Sequence, residues 1–111
     1  MNRFSKTSLD RLHGVHPALQ DLCFALLHHH DITIIYGLRS IQEQLRLVEQ
    51  GFSKTMRSKH LKQEDNFAHA VDIAPYPVDW NDTKRFYWMA GMMRVLAEKH
   101  LPEGWKLRWG G

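Results

Sequence analysis

Cysteine is almost missing from this 111-residue chain: Cys23 stands alone. A single thiol excludes an internal disulfide and a cysteine-rich zinc cluster, so a metal would have to be held by histidine and carboxylate. No apolar run approaches a membrane span, which excludes membrane insertion by a helix. The start, MNRFSKTSLD, lacks the apolar stretch of a secretory leader, so the expectation is a cytoplasmic chain without a signal peptide. Internal repeats and low-complexity segments are also missing, which excludes solenoids and linker-rich arrays. Charge of one sign is not in large excess: 15 Lys+Arg face 12 Asp+Glu, a net +3. That balance favours anionic partners without choosing among them. With no recognition-helix stripe or RNP-like pattern, no nucleic-acid partner is expected.

What is present is apolar and aromatic. Hydrophobic residues make up 43% of the chain, with four Trp, five Phe and three Tyr, enough to bury the core of one domain spanning 1–111. Ser8 reads as the cap of a short helix, Leu9 to His13, ended by Gly14. Pro17 opens a second helix, in which Leu19, Leu22, Cys23, Leu26 and Leu27 recur at three- and four-residue steps. Ile32–Tyr36, β-branched and aromatic, predicts a strand. Ser40-Ile41-Gln42-Glu43 is a capping box opening a helix with Ile41, Leu45 and Val48 on one side and Gly51 at its end. Residues 52–68 read as a long polar loop, and Ala70–Ala74 as a buried strand stopped by Pro75 and Pro77. Asp79 or Asn81 caps a long helix through His100 with Phe86, Met89, Met93, Leu96 and Ala97 inward. Trp105–Trp109 alternates like a final strand. Helices with a few short strands predict an α+β fold with a small antiparallel sheet.

The chemistry concentrates in RSKHLKQEDNFAHAVDIAP, residues 57–75. Asp72 falls among Val71, Ile73 and Ala74, where a carboxylate is costly to bury unless paired or bound to a cation. Two readings are open: His60 and Asp72 are zinc ligands, or Asp72 pairs with a surface Lys and His60 is an ordinary loop residue. Arg39, just before a helix start, suits a carboxylate or an oxyanion, or a simple ion pair with Asp72. His28-His29-His30 reads as a polar helix end, since adjacent helical side chains diverge. Strand alternation sets His69 and Asp72 on opposite faces, which makes His69 the weaker ligand candidate. Met89, Met92 and Met93 read as core. Trp80, Trp88, Trp105 and Trp109 could include a sugar platform or be core.

Four blocks, YGLRS at 36–40, SKTMRSKH at 53–60, AHAVDIAP at 68–75 and WKLRWGG at 105–111, occur in an order that resembles the phage and prophage L-alanyl-D-glutamate endopeptidases. These endolysins belong to the zinc peptidase group that includes VanY- and VanX-type D-Ala-D-Ala peptidases. The resemblance implies the small α+β fold shared with the Hedgehog signalling domain. It implies His60 and Asp72 as zinc ligands and Arg39 as the catalytic residue that holds substrate and stabilises the oxyanion. It also implies Ser58 supporting the ligand loop, and Ser40 and Gln44 near the cleft in substrate-binding positions. The segment KQEDNF lengthens the loop between the ligands, and Ala68 stands where the family has Gly. A competing register would put Asp65 in the place of His60; RSKHL as a block favours His60.

The implied substrate partner is bacterial peptidoglycan, cut in its stem peptide between L-Ala and D-Glu, with the enzyme stored in the cytoplasm until a holin opens the membrane. The family's third ligand and its acidic general base lie beyond WGG. The expectation is therefore a chain with two of three protein ligands, C-terminally incomplete relative to the family. It is either an active enzyme when complete or a non-catalytic murein-binding remnant.

Overall fold

A computed structural model describes residues 2–107. Its element order is α1 (Lys6–Leu12), α2 (Pro17–His29), β1 (Ile32–Tyr36), α3 (Ile41–Glu49), β2 (Asp72–Pro75) and α4 (Thr83–His100). The α+β expectation holds: β1 and β2 form an antiparallel pair, Ile32 opposite Pro75, Ile34 opposite Ile73 and Tyr36 opposite Asp72. The register shifts between Ile34 and Tyr36, an irregularity that turns the strand end next to Asp72.

The core sits where α2 packs on α4, with α4 against β2 and α1 against β1. The three- and four-residue spacing of Leu19, Leu22, Cys23, Leu26 and Leu27 delivers all five to it, and Met89, Met93, Leu96 and Ala97 of α4 face them. Burial pushes the Cys23 thiol up to about 12, so it acts as a small apolar side chain.

Several local expectations are corrected. Helix α1 starts a turn earlier than read, capped by Ser5, whose side chain accepts from the Ser8 amide at 3.1 Å. Ser8 is instead buried; its hydroxyl accepts from the Ile34 amide at 3.1 Å and shares a hydrogen bond with the Thr33 hydroxyl at 3.2 Å, tying α1 to β1. The capping box of α3 forms as read, but Ile41 and Leu45 are exposed; its buried residue is Gln44. Strand β2 begins only at Asp72, because Ala68 pairs with Val15 and Lys62 and draws the preceding residues away from β1. The cap of α4 is Asp82, with Asp79 and Asn81 forming the turn before it. Trp105 to Leu107 form no strand, and the rest of the expected strand, through Trp109, lies outside the described residues.

Gly37 follows β1 at the closest approach in this corner. A Cβ there would collide with the Arg11 carbonyl oxygen and press on Val15. Arg11 in turn donates to the Ile34 carbonyl at 2.9 Å, so the α1 end and the strand end are pinned together. Gly37→Ala is expected to destabilise the fold by about 1–3 kcal/mol through this overpacking. Thermal unfolding followed by circular dichroism checks it, with a Tm lowered by several degrees as the expected result.

Candidate metal centre and cleft

His60 is placed by its backbone before its side chain does anything. The Ser58 hydroxyl accepts from the His60 amide at 3.1 Å, closing a tight turn of the kind serine favours. The Arg39 amide then donates to the His60 carbonyl at 2.7 Å, and the His69 amide donates to the Lys59 carbonyl at 2.8 Å. Residues 58–60 are thus held between the corner after β1 and the approach to β2.

The imidazole is oriented by one contact: Nδ1 lies 2.9 Å from the Gly37 carbonyl oxygen. A carbonyl only accepts, so Nδ1 carries the proton and Nε2 presents its lone pair when the ring is neutral. Nε2 faces Asp72 Oδ1 at 3.4 Å. Two ligands bonded to one tetrahedral zinc at their usual lengths stand about 3.3 Å apart, so this pair has the spacing such an ion requires. His60 is 13% exposed and Asp72 50%, so the pair is rooted in the protein and open on one side.

Electrostatics act on Asp72 in both directions. With the His60 imidazole protonated, the hydrogen bond from its Nε2–H is the largest influence and lowers the carboxyl below the ordinary value. Burial opposes it, and the charges of His60 and Arg39 add to the lowering. Arg39 is itself fixed: its Nη1 donates to Gln44 Oε1 at 2.8 Å, and its guanidinium lies 5.6 Å over the Tyr36 ring.

The sequence-derived residues therefore separate. His60, Asp72 and Arg39 come together. Ser58 shapes the turn that carries His60. Ser40 spends its hydroxyl on the Glu43 capping box. Gln44 is 0% exposed, so it is not a surface for substrate; its amide donates to Ser53 Oγ at 2.9 Å and to the Thr55 carbonyl at 2.6 Å while accepting from Arg39. It stands behind Arg39 and aims it.

Sequence reasoning missed a second cluster. Asp65 Oδ2 lies 2.7 Å from His69 Nε2 and 3.7 Å from His16 Nε2, and Trp105 packs against both rings. Burial would raise the Asp65 carboxyl; the hydrogen bonds from His69 and the Phe67 amide and the nearby imidazoles outweigh it and lower it. His16 Nδ1 accepts from the Ala18 amide at 3.0 Å, capping α2, which leaves the proton on Nε2. Asp65, which the competing register would set in the place of His60, pairs with His69 and His16. The alternation argument for His69 also fails, because β2 starts after it, and His69 lines the same cleft as Asp72. Among the described residues, no group of three or more His, Cys, Asp or Glu is arranged to hold a metal ion.

His60, His69 and Asp72 line one cleft of about 820 Å³, walled also by Tyr36, Trp80, Phe86 and Trp105. That is room for a short peptide with a further group attached.

The whole chain, residues 1–111, matches the model of a family described as phage L-alanyl-D-glutamate peptidase, and the chain belongs to that family. A similar solved structure is the Serratia marcescens L-Ala D-Glu endopeptidase ChiX. It is 29% identical, with a TM-score of 0.80 over 100% of this chain and 80% of that one. No curated protein matches the chain in sequence.

Two outcomes follow from this geometry. Gln44→Leu removes the acceptor for Arg39 and the donor to two loop oxygens, and is expected to cost about 1–3 kcal/mol of stability in denaturant unfolding. Because the folded-state carboxyl of Asp72 is lowered, its contribution to stability is complete above the ordinary carboxylate value and is lost as pH falls through the depressed one. In the metal-free protein, His60→Ala is expected to move the Asp72 titration upward, read by NMR of the side-chain carboxyl carbon.

Proposed function

We propose that this chain is a zinc-dependent peptidoglycan endopeptidase that cuts the murein stem peptide between L-Ala and D-Glu during phage-type host lysis. The observation that carries the reading is the His60–Asp72 pair: Nε2 and Oδ1 3.4 Å apart, with the other imidazole nitrogen tied to the Gly37 carbonyl. A histidine whose second nitrogen donates to a backbone carbonyl is the usual preparation of a metal ligand. Family membership supplies the substrate class.

In this reading His60 and Asp72 hold the zinc. When bound, zinc supplies Lewis acidity toward the scissile carbonyl and its attacking water. Arg39 acts on the substrate: with one Nη1 hydrogen bond committed to Gln44, its remaining N–H groups can receive a substrate carboxylate or the oxygen that gains charge as the peptide carbonyl is attacked. Its place over Tyr36 limits the rotamers it must lose on binding. No helix among the described residues is long and apolar enough to cross a membrane. The proposal includes storage in the cytoplasm and access to the wall after holin-type release.

The test is elemental analysis of the purified protein together with digestion of purified murein. The expected result is bound zinc and new free amino groups on D-Glu, with both lost in His60→Ala and in Asp72→Ala. Unchanged zinc and unchanged cleavage in these variants would overturn the assignment. Retention on murein without new amino ends would make the chain a wall-binding module instead.

A further inference from the structure

The substrate proposed above is not a free peptide. In murein the L-Ala residue is joined through a lactyl group to a muramic acid ring, so the bond after L-Ala lies one residue from the glycan. One residue spans at most about 3.6 Å, and the lactyl linkage adds a similar length, which puts the sugar roughly 10 Å or less from the cut bond. A cleft that cuts there must receive a pyranose ring against its wall.

Among the described residues, the wall offers one aromatic surface for it. Trp80 lines the cleft with His60 and Asp72 and is 64% exposed. Its ring stacks on Phe86, centroids 5.6 Å apart and planes at 18°, and Phe86 packs against the core. One face of the indole is therefore supported and the opposite face is open. The other large aromatics of the cleft are engaged: Tyr36 lies under Arg39, and Trp105 lies against His16 and His69.

The turn carrying Trp80 is also held. Asp79 Oδ1 accepts from the Asn81 amide at 3.0 Å, and the Asp79 carbonyl accepts from the Asp82 amide at 3.1 Å. Arg85 reaches back from α4 to the Pro77 carbonyl at 2.9 Å. An exposed tryptophan on a pinned turn, with its back on a core phenylalanine, loses little freedom when something stacks on it. The ligand chemistry follows from the indole itself: its electron-rich face attracts the slightly positive C–H groups of a pyranose face, while the sugar hydroxyls stay in water.

We infer that Trp80 is the stacking platform for an N-acetyl sugar ring of the glycan strand attached to the stem peptide. The inference rests on the murein reading for the identity of the ligand, and its test does not depend on cleavage.

The probe is peptide-free glycan, chains of N-acetylglucosamine and N-acetylmuramic acid stripped of stem peptides, titrated into the full chain and followed by calorimetry and by NMR of the indole N–H groups. Wild type is expected to bind, with the Trp80 indole signal moving. Trp80→Ala is expected to bind about tenfold more weakly. Trp80→Phe, which keeps a ring on Phe86, should fall between them and guards against loss of fold. Trp88→Ala, which alters an exposed tryptophan on α4 that rests against His30, should bind like wild type. Glycan affinity unchanged in Trp80→Ala, or no binding by wild type, overturns the inference. Cleavage of a sugar-free L-Ala-D-Glu peptide by wild type, which tests the enzymatic reading without any glycan, separates the two claims. If wild type cleaves neither substrate, the enzymatic reading fails while the glycan titration still decides the platform.

Discussion

The hydrogen bond from His60 Nδ1 to the Gly37 carbonyl is the contact on which the site depends. It crosses from the long loop before β2 to the corner after β1, and it decides which imidazole nitrogen faces Asp72. Everything that places Gly37 therefore places the His60 imidazole. Gly37 fits only because it has no side chain to meet the Arg11 carbonyl, and Arg11 is anchored on β1 through Ile34. The 3.4 Å between His60 and Asp72 is the product of packing between α1 and the sheet, far from any metal chemistry.

The same corner supports Arg39. Its amide holds the His60 carbonyl, so the imidazole and the guanidinium are tied to one piece of backbone. Its guanidinium is set by Gln44, a fully buried amide whose oxygen and nitrogen are both engaged. A buried amide with unmet hydrogen bonds would be costly. Satisfied, it acts as a rigid bracket between α3, the 53–55 loop and Arg39. The positive charge beside Asp72 helps keep that carboxyl ionised, the state a metal requires of it.

Much of this was legible from the sequence, and the reasons are local. The apolar steps of α2 and the inward stripe of α4 follow from helical period alone, and the β-branched run Ile32–Tyr36 announced β1. The Ser40–Glu43 box appeared as read because capping involves only neighbours in the chain. The failures are polar residues whose partners lie far along the chain. Ser8 looked like a cap but bonds to β1, and Gln44 looked like a cleft residue but is buried behind Arg39. The Asp65 pairing with His16 and His69 joins residues that no periodicity connects. Ile41 and Leu45, read as lying on one side of the helix, are exposed because α3 docks through Gln44. His60, Asp72 and Arg39 came from motif resemblance; their spacing alone had left a simpler ion pair open.

The central claim is that Gly37 prepares His60 to bind metal through Nε2. It is tested most directly by ¹⁵N NMR of the His60 imidazole while zinc is added to the metal-free protein. The account predicts that Nδ1 stays protonated throughout, and that the Nε2 resonance moves to that of a metal-bound nitrogen. A Nε2 resonance indifferent to zinc, or a shift at Nδ1 in its place, would contradict it.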